Sequence, residues 1–592
     1  MRSGALRNGR DCQSADELGC RSSLQGLSTA ASLIPWAVCV AAIASALQAT
    51  SRGLDLTDES LYIVLAVDPD LYLDTRPSAH LFWGVILNLV QTVRNLRITN
   101  ILLLLAAHCA FTLSFWRCLP SIGHSRPEKR VRLAGSAAFM SCALLPFAWL
   151  PQTPSYNSLA VTVVVTLVAI ALELRWTPPG KWRTFLLVSA GVLLWVLAIG
   201  RIGSLVAVPA IAALALESRA VRNRANDTNR FVIGLAAAAL FTHMFLASLQ
   251  EIARGHFTEI DSSYGIGTLL SSYRRELWEM ATWIMEPFWQ TFLCALLAGL
   301  LAARSRSHRV GVGLIVAVTV ITAARIHWLG WTGGGSENKT WAQLVLPTLL
   351  LVGTAFAAGT LLAEQGRQLR PTRILVPLCC LSSIPFLAAA GTNNRIGTVA
   401  MFFGGLWTAS LVLILIASSR EHGRFVLQTF AIAISLITLS MSHNGIWNHP
   451  YRQAPLAAQQ VMIDTSGPLR GIRVDPALAQ LSTDLAQLRN SFSTAARPYV
   501  IALERTPGLV LLAEGQTPMT PWLHLGIPAI VEDAIRIACA DTGNPVFLFN
   551  ELEALPKFVE ETLESGCPGR DWQPQPQVQL PDGRTFSLLA TN

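Results

Sequence analysis

The succession of apolar runs constrains this chain more than any other feature of its sequence. Runs of roughly 16 to 22 apolar residues recur from residue 29 to residue 441, and a helix of that length crosses the ~30 Å hydrocarbon core of a bilayer. Hydrophobic residues make up 52% of the 592 residues and charged residues 14%, against about a quarter charged in soluble proteins. The sequence therefore predicts a polytopic α-helical membrane protein.

About 13 apolar runs are expected to be transmembrane helices, which divides the chain into three parts. Residues 1–28 form a cytoplasmic tail, residues 29–441 form the transmembrane domain, and residues 442–592 form a separate, more polar domain. The expected spans lie at 29–50, 98–116, 133–150, 158–174, 184–200, 202–216, 231–249, 288–303, 310–327, 342–363, 374–390, 397–418 and 425–441.

The distribution of basic residues predicts the orientation of these spans. With the N-terminus inside, the cytoplasmic segments carry 24 Lys and Arg, whereas the short outer loops carry three, as the positive-inside rule requires. The preference for Arg over Lys indicates a GC-rich bacterial genome. We therefore expect a bacterial inner-membrane protein with a cytoplasmic N-terminus and a periplasmic C-terminal domain. Since the net charge of +8 is spread over short loops, no nucleic-acid partner is expected.

The first outer loop, residues 51–97, contains a further apolar segment at residues 80–93. A span at this position would reverse every later loop and place the basic residues outside. The short length of the segment, together with Arg94 and Arg97 beside it, favours an amphipathic helix that lies on the outer membrane surface.

The domain at residues 442–592 has the pattern of a small α/β fold. Predicted strands alternate with predicted helices, which indicates a parallel or mixed sheet. Cys539 and Cys567 are the only cysteines of this domain, and an oxidising compartment could join them, although spacing alone leaves the pairing open. Strands are expected near 471–474, 498–503 and 545–549, and helices near 476–492, 529–540 and 555–564, with short strands at the end.

Three carboxylates, Asp55, Asp58 and Glu59, fall within five positions directly after the first apolar run. On a helical turn their spacing places them on one face. A carboxylate next to a low-dielectric region can have a raised pKa and act as a general base. The alternative interpretation is a solvated acidic loop end that begins a helix, with Thr57 as its N-cap.

The motif Asp58-Glu59-Ser60-Leu61-Tyr62, early in a long first outer loop, resembles the pattern of protein O-mannosyltransferases. The many spans and the exported C-terminal domain are similar to those of the bacterial transferases that add aminoarabinose to lipid A. Both belong to the GT-C superfamily of membrane glycosyltransferases. The architectural resemblance covers the whole chain, and the motif covers about eight residues.

This resemblance implies an inverting transfer of a sugar from a polyprenyl-phosphate donor to an envelope glycan, lipid or protein acceptor. Asp58 would be the catalytic base, with Glu59 or Asp55 supporting it. Basic and hydrogen-bonding residues of the outer loops are the candidates for binding the donor phosphate and the sugar. They are Arg201, Arg274, Arg275, Arg395, Tyr156, Asn157, Asn393 and Asn394. Here Arg274 and Arg275 are assigned to an outer loop at 250–287.

No cofactor is certain, although a divalent metal ion is an open possibility. His80 and His256 are the histidines of the two long outer loops. Together with Asp58 or Glu59 they would offer imidazole and carboxylate ligands to zinc or a similar ion, but their spacing does not require a site. The expected partners are therefore membrane lipid, a lipid-linked sugar and its acceptor.

Three alternatives remain open at the level of the sequence. An O-antigen polymerase or ligase also has many spans, but it is expected to carry a large late outer loop with arginines. A transporter or flippase would need ionisable residues in the middle of its spans, where this chain has almost none. A GT-C-like scaffold without activity is the third alternative.

Overall fold

The computed structural model is mostly helical and carries a small C-terminal sheet. The predicted cytoplasmic tail lies outside the residues that it describes. These are 33–72, 78–122, 127–216, 224–245, 266–304, 307–363, 371–391, 394–418, 423–463, 465, 467–492, 497–541, 543–551, 554–579 and 584–591.

The helices of the apolar part are numbered α1 to α16 in chain order. They are α1 Leu33–Ala49, α2 Asp58–Val67, α3 His80–Val90, α4 Val93–Cys118, α5 Lys129–Cys142, α6 Tyr156–Leu174, α7 Lys181–Gly200, α8 Val208–Leu216, α9 Arg224–Phe245, α10 Ile266–Ala302, α11 His308–Thr332, α12 Gly334–Ala363, α13 Pro371–Ala388, α14 Ile396–Met401, α15 Gly404–Ser418 and α16 Gly423–His443.

Seven of the described helices are long and apolar enough to cross a membrane, and five shorter helices are also apolar. A polytopic helical membrane protein is therefore supported, whereas the expected count of about 13 spans is not confirmed. The seven are Val93–Ile122, Tyr156–Leu174, Lys181–Gly200, Leu270–Ala302, Arg309–Thr332, Gly334–Ala363 and Phe425–Asn448. The five are Leu33–Ala49, His80–Val90, Ile202–Ala215, Ile374–Ala388 and Gly404–Ala417.

Helix α3 comprises 11 residues, which is about 16 Å at 1.5 Å per residue. This length is about half of the hydrocarbon core of a bilayer, so α3 alone is too short to cross it. Of the two arginines that flank this helix in the sequence, Arg97 is not an interfacial charge. The Arg97 side chain is 2% exposed, because it is a partner in a buried ion pair.

Two predicted boundaries differ from the structure. Residues 266–287, expected in a loop, belong to α10, which continues to Ala302. The charged pairs Arg274-Arg275 and Glu276-Glu279 interrupt the apolar run, but they do not interrupt the helix. The expected span at 397–418 is divided into α14 and α15, since the helical pattern breaks at residues 402–403.

The C-terminal domain confirms the predicted alternation of strands and helices. Its main sheet has the order β3-β4-β6-β5, in which β3 and β4 are parallel and the other neighbours antiparallel. Cys539 and Cys567 form a disulfide bond that joins α19 to the end of α20. The elements are β1 Val461–Met462, β2 Arg473–Val474, α17 Pro476–Ser491, β3 Tyr499–Ala502, α18 Gly508–Leu512, α19 Pro528–Ala540, β4 Val546–Asn550, α20 Lys557–Gly566, β5 Gln573–Gln579 and β6 Thr585–Thr591.

The first outer loop packs against the C-terminal domain through a shared hydrophobic core. Leu56, Val64 and Tyr72 of the loop are buried in one cluster with residues of that domain. Main-chain hydrogen bonds reinforce the contact: Gly508 N donates to Leu56 O at 2.9 Å. At the end of α2, Arg497 forms a bidentate ion pair with Asp68, at 3.1 and 2.8 Å. The C-terminal domain therefore holds α2 in place at both of its ends.

Candidate functional site

Glu59 is buried in an ion pair with Arg97, near the start of α4. Arg97 Nη2 lies 2.7 Å from Glu59 Oε1, and the two side chains are 2% and 1% exposed. Since an unpaired buried charge is very costly, this pair is a structural anchor between α2 and α4. The other groups that accept from the guanidinium are the carbonyl oxygens of Thr50, Arg52 and Gly53 and the hydroxyl of Thr153.

Asp55 is buried just before α2, and both of its carboxylate oxygens accept hydrogen bonds from the same turn. Oδ1 accepts from the amide and the hydroxyl of Thr57 at 3.1 and 2.8 Å, and Oδ2 accepts from Glu59 N at 3.0 Å. Burial raises the pKa of Asp55 to about 7, although the Glu59 amide favours the charged form. Thr57 stands at the N-cap position, but its side chain makes no capping hydrogen bond, so the capping interpretation was wrong in this respect.

Asp58 is the carboxylate of the cluster that keeps an exposed face. Its side chain is 28% exposed, whereas Asp55 and Glu59 are each 1% exposed. The hydroxyl of Tyr451 donates to Asp58 Oδ2, and Arg452 Nη1 lies 3.6 Å from the same oxygen. The solvated interpretation of the whole acidic cluster was therefore wrong for two of its three members. A partly exposed carboxylate with a free side is able to accept a proton from a bound molecule.

Lys339, near the start of α12, lies between two aromatic rings next to Asp58. Its Nζ atom is 4.7 Å from the ring centroid of Trp149 and 5.0 Å from that of Tyr451. The guanidinium carbon of Arg452 is also 5.0 Å from the centroid of the Tyr451 ring. Over the described part of the chain, no carboxylate forms an ion pair with Lys339. Two cations thus flank the tyrosine that donates to Asp58.

Arg201, at the end of α7, is a buried cation whose hydrogen-bonding groups are only partly used. Its side chain is 4% exposed, and Nη2 donates to Ala389 O at 3.2 Å. Among the described residues nothing accepts from Nε or Nη1. A buried guanidinium with free donors is costly unless an anion binds to it. Arg201 is therefore suited to hold a negative group.

Tyr156 connects Arg201 to the acidic cluster. The guanidinium carbon of Arg201 lies 5.7 Å from the ring centroid of Tyr156. Tyr62, one turn after Asp58 on α2, meets the Tyr156 ring edge-on at 6.1 Å. Asn394 Nδ2 donates to Tyr156 Oη at 3.4 Å. The structure thus brings three of the predicted residues, Arg201, Tyr156 and Asn394, together beside α2, the helix that begins at Asp58.

The remaining predicted binding residues lie in different parts of the structure. Asn157 is buried at the start of α6, and its Oδ1 has no partner within the described residues. Asn393 lies outside the described residues. Arg274 and Arg275 are exposed on α10, and the structure does not place them beside Asp58. The guanidinium carbon of Arg395 lies 5.6 Å from the ring centroid of Trp283, and Arg395 lines a cavity between the apolar part and the C-terminal domain.

The neighbours of the two α10 arginines hold the loop that follows α13. Tyr273 Oη accepts from Gly391 N at 2.9 Å, and Glu276 Oε2 accepts from Ile396 N at 2.7 Å. These contacts fix the loop against α10. The role of Arg274 and Arg275 in binding the donor stays a prediction, while Tyr273 and Glu276 make the contacts with the loop.

A cavity of about 1120 Å³ opens between the apolar part and the C-terminal domain. Residues 54–57, the start of α12, the segment 448–459 and parts of the C-terminal domain line it. Asp58 does not line the cavity itself, but it follows Thr57 in the chain and is paired with Arg452, and both of these residues line it. Arg452 Nη1 donates to Thr57 Oγ1 at 2.8 Å. The charged lining residues are Asp55, Lys339, Arg395, Arg452, Asp475, Glu504, Arg505 and Arg584.

The predicted metal ligands do not form a cluster in the part of the chain that the structure describes. No group of three His, Cys, Asp or Glu is arranged there to hold an ion. His80 is buried at the start of α3, and His256 lies outside the described residues. Glu59 is already taken by Arg97, so Asp58 is the carboxylate of the cluster with room for another ligand.

Sequence analysis missed Arg97, Tyr451 and Arg452 as parts of the site. Arg97 follows the surface helix and resembles an ordinary flanking charge. Tyr451 and Arg452 come directly after the last apolar run, at the same membrane edge as the acidic cluster, and this position was the available signal. Their distance of almost 400 residues from Asp58 concealed the contact.

Comparisons of the chain with models of protein families, with curated proteins and with solved structures find no match. The resemblance to GT-C glycosyltransferases therefore stays a prediction from the acidic motif and the architecture. The geometry around Asp58 is the structural basis for a functional proposal.

Proposed function

We propose that this chain is an integral membrane glycosyltransferase that moves a sugar from a polyprenyl-phosphate donor to an envelope glycan, lipid or protein acceptor. The observation that carries this proposal is the combination of one partly exposed carboxylate, Asp58, with one buried cation that has free donors, Arg201. Arg201 lies over the ring of Tyr156, and this ring meets that of Tyr62, one turn after Asp58 on α2. A displacement at the anomeric carbon needs a base at the acceptor and a positive charge at the leaving phosphate.

In the proposed reaction, Asp58 takes the proton of an acceptor hydroxyl as the acceptor oxygen attacks the anomeric carbon. The bond from that carbon to the phosphate oxygen breaks, and polyprenyl phosphate leaves with the bonding electrons. The guanidinium of Arg201 stabilises the negative charge that develops on the phosphate. Glu59 and Asp55 hold α2 and the preceding turn in place, and thus support Asp58 through position.

The finer topology belongs to the same proposal: about 13 spans in the bacterial inner membrane, a cytoplasmic N-terminus and a periplasmic C-terminal domain. The asymmetry of basic residues supports it. The Cys539–Cys567 disulfide bond also supports it, since disulfide bonds persist in the periplasm and are rare in the cytosol.

The test is transfer from radiolabelled undecaprenyl-phosphate sugars to an extract of envelope lipids and glycans by the purified full-length protein. Asp58→Asn is compared with wild type and with Asp533→Asn, which removes a carboxylate that is 54% exposed on α19. We expect turnover by wild type and Asp533→Asn, and a loss of about 10²- to 10⁴-fold in Asp58→Asn.

Turnover that survives in Asp58→Asn would contradict the assignment of the base. No turnover with any donor, combined with transport of lipid or solute in proteoliposomes, would contradict the enzyme class and favour a transporter.

A further inference from the structure

The cavity beside Asp58 carries an excess of positive charge that both parts of the chain supply. Its lining contains five cationic and three acidic side chains. Lys339 and Arg395 come from the apolar part, and Arg452, Arg505 and Arg584 come from residues 442–592. A polar cavity with this balance of charge is suited to an anionic ligand.

Two of the three acidic side chains already serve the chain itself. Asp55 is 1% exposed and accepts hydrogen bonds from its own turn. Asp475 is the N-cap of α17, and its Oδ1 accepts from Leu478 N at 3.0 Å. Two of the cations also have a carboxylate partner, since Arg452 Nη1 lies 3.6 Å from Asp58 Oδ2 and Arg584 Nη1 lies 3.5 Å from Glu551 Oε2. Within the described residues, Lys339, Arg395 and Arg505 form no ion pair, so three lining cations are left without a carboxylate partner.

The cations lie where a molecule would approach Asp58 from the cavity. Lys339 and Arg452 both contact the ring of Tyr451, and the hydroxyl of this tyrosine donates to Asp58. Arg201 does not line this cavity. Two separate positive groups therefore lie near α2, the helix that begins at Asp58. Arg201 is linked to α2 through Tyr156 and Tyr62, and Lys339 with Arg452 lies beside Tyr451.

We propose that the acceptor is anionic, and that its negative group binds in this cavity between Lys339 and Arg452 on one wall and Arg505 on the other. The inference rests on the proposed function, because it assigns the cavity to the acceptor and Arg201 to the donor phosphate. Asp58 must reach the acceptor hydroxyl, and the cavity is the space that opens directly in front of Thr57 and Arg452. The C-terminal domain thereby takes part in recognition of the acceptor.

The test measures equilibrium binding of a defined anion to the full-length protein, without turnover. The probes are short-chain phosphatidic acid, inorganic phosphate and the uncharged diacylglycerol with the same acyl chains. We expect phosphatidic acid or phosphate to bind, and Lys339→Gln and Arg452→Gln each to weaken binding about tenfold, as the loss of one charge-assisted contact implies. Lys339→Arg, which keeps the charge, should bind as wild type does.

Lys557→Gln is the matched control, because Lys557 is 89% exposed on α20 and does not line the cavity. It should leave binding unchanged. Tighter binding of phosphatidic acid than of phosphate would identify a lipid headgroup, whereas equal binding would identify a soluble anion; both agree with an anionic acceptor. Binding of diacylglycerol as tight as that of phosphatidic acid would overturn the inference, and so would unchanged binding in Lys339→Gln and Arg452→Gln.

This result is independent of the test of the base. Asp58→Asn should retain binding of the probe while it loses transfer. If Asp58→Asn loses transfer but the cavity variants bind normally, the anionic acceptor is wrong and the transferase stands. If the cavity variants lose binding but Asp58→Asn transfers normally, the assignment of the base is wrong.

Discussion

The substitution Glu59→Gln tests whether Glu59 is a structural residue, in contrast to Asp58, the proposed catalytic base. It keeps the shape of the side chain but removes the charge that neutralises Arg97. The Arg97 guanidinium is 2% exposed and lies 2.7 Å from Glu59, so the variant leaves a buried, unpaired cation. Loss of one partner of such a pair costs about 3–5 kcal/mol of folding free energy. The new amide also places a donor where Oε2 accepts from Asp55 N at 3.0 Å, which adds to the cost.

The assay is equilibrium unfolding of the purified protein in mixed detergent and dodecyl sulfate micelles, followed by far-ultraviolet circular dichroism. Glu532→Gln is the matched control, because it removes a carboxylate from an exposed pair with Arg536, at 29% and 54% exposure. A surface pair of this kind contributes about 0–1 kcal/mol. Asp58→Asn, at 28% exposure, should also lower stability by no more than about 1 kcal/mol while it abolishes transfer.

The reasoning is refuted if Glu59→Gln is no more destabilising than Glu532→Gln. A double-mutant cycle with Arg97→Gln supplies a second check. Since the two residues are one buried pair, the double variant should be less destabilised than the sum of the single variants. Additive effects would mean that the pair does not anchor α2.

Three further predictions concern other parts of the molecule. Arg201→Gln should raise the KM for the donor about 10- to 100-fold without loss of stability, because it removes a buried cation with free donors; a lowered stability would contradict this. Burial raises the pKa of Asp55 to about 7, so this group contributes stability that is lost as pH rises from about 4 to about 7. The free energy of unfolding of wild type should therefore fall between about pH 4 and about pH 7, whereas Asp55→Asn lacks this dependence. The difference, Asp55→Asn minus wild type, should increase with pH in a series of unfolding measurements across that window. Replacing Cys539 and Cys567 by Ala should cost the C-terminal domain about 3–4 kcal/mol, given their separation of 28 residues, and a melting curve of the variant checks this.

The sequence predicted those elements that depend on local pattern. The expected helix at 476–492 is α17, which begins at Pro476 with Asp475 as its cap. The expected strand at 545–549 is β4, whose residues are all buried. Alternation of apolar runs with turn residues determines these boundaries locally, and no distant contact has to be known.

The roles of the three carboxylates could not be predicted, because they depend on partners far away in the sequence. Asp55, Asp58 and Glu59 look equivalent as an acidic cluster after a span. Glu59 becomes structural through an ion pair with a residue 38 positions away, and Asp58 meets a tyrosine 393 positions away. Such contacts follow from the packing of helices against one another and leave no periodicity in the sequence.

The position of the proposed base depends on the C-terminal domain as much as on the membrane helices. Helix α2 begins at Asp58, and the residue Leu56 before it packs against Gly508, where a Cβ atom would lie 2.6 Å from the Leu56 Cα. Only glycine permits this close approach. The far end of α2 is held by the ion pair between Asp68 and Arg497. The C-terminal domain therefore contacts both ends of the helix that carries Asp58, and it also lines part of the adjacent cavity. For both reasons the domain is a part of the candidate site.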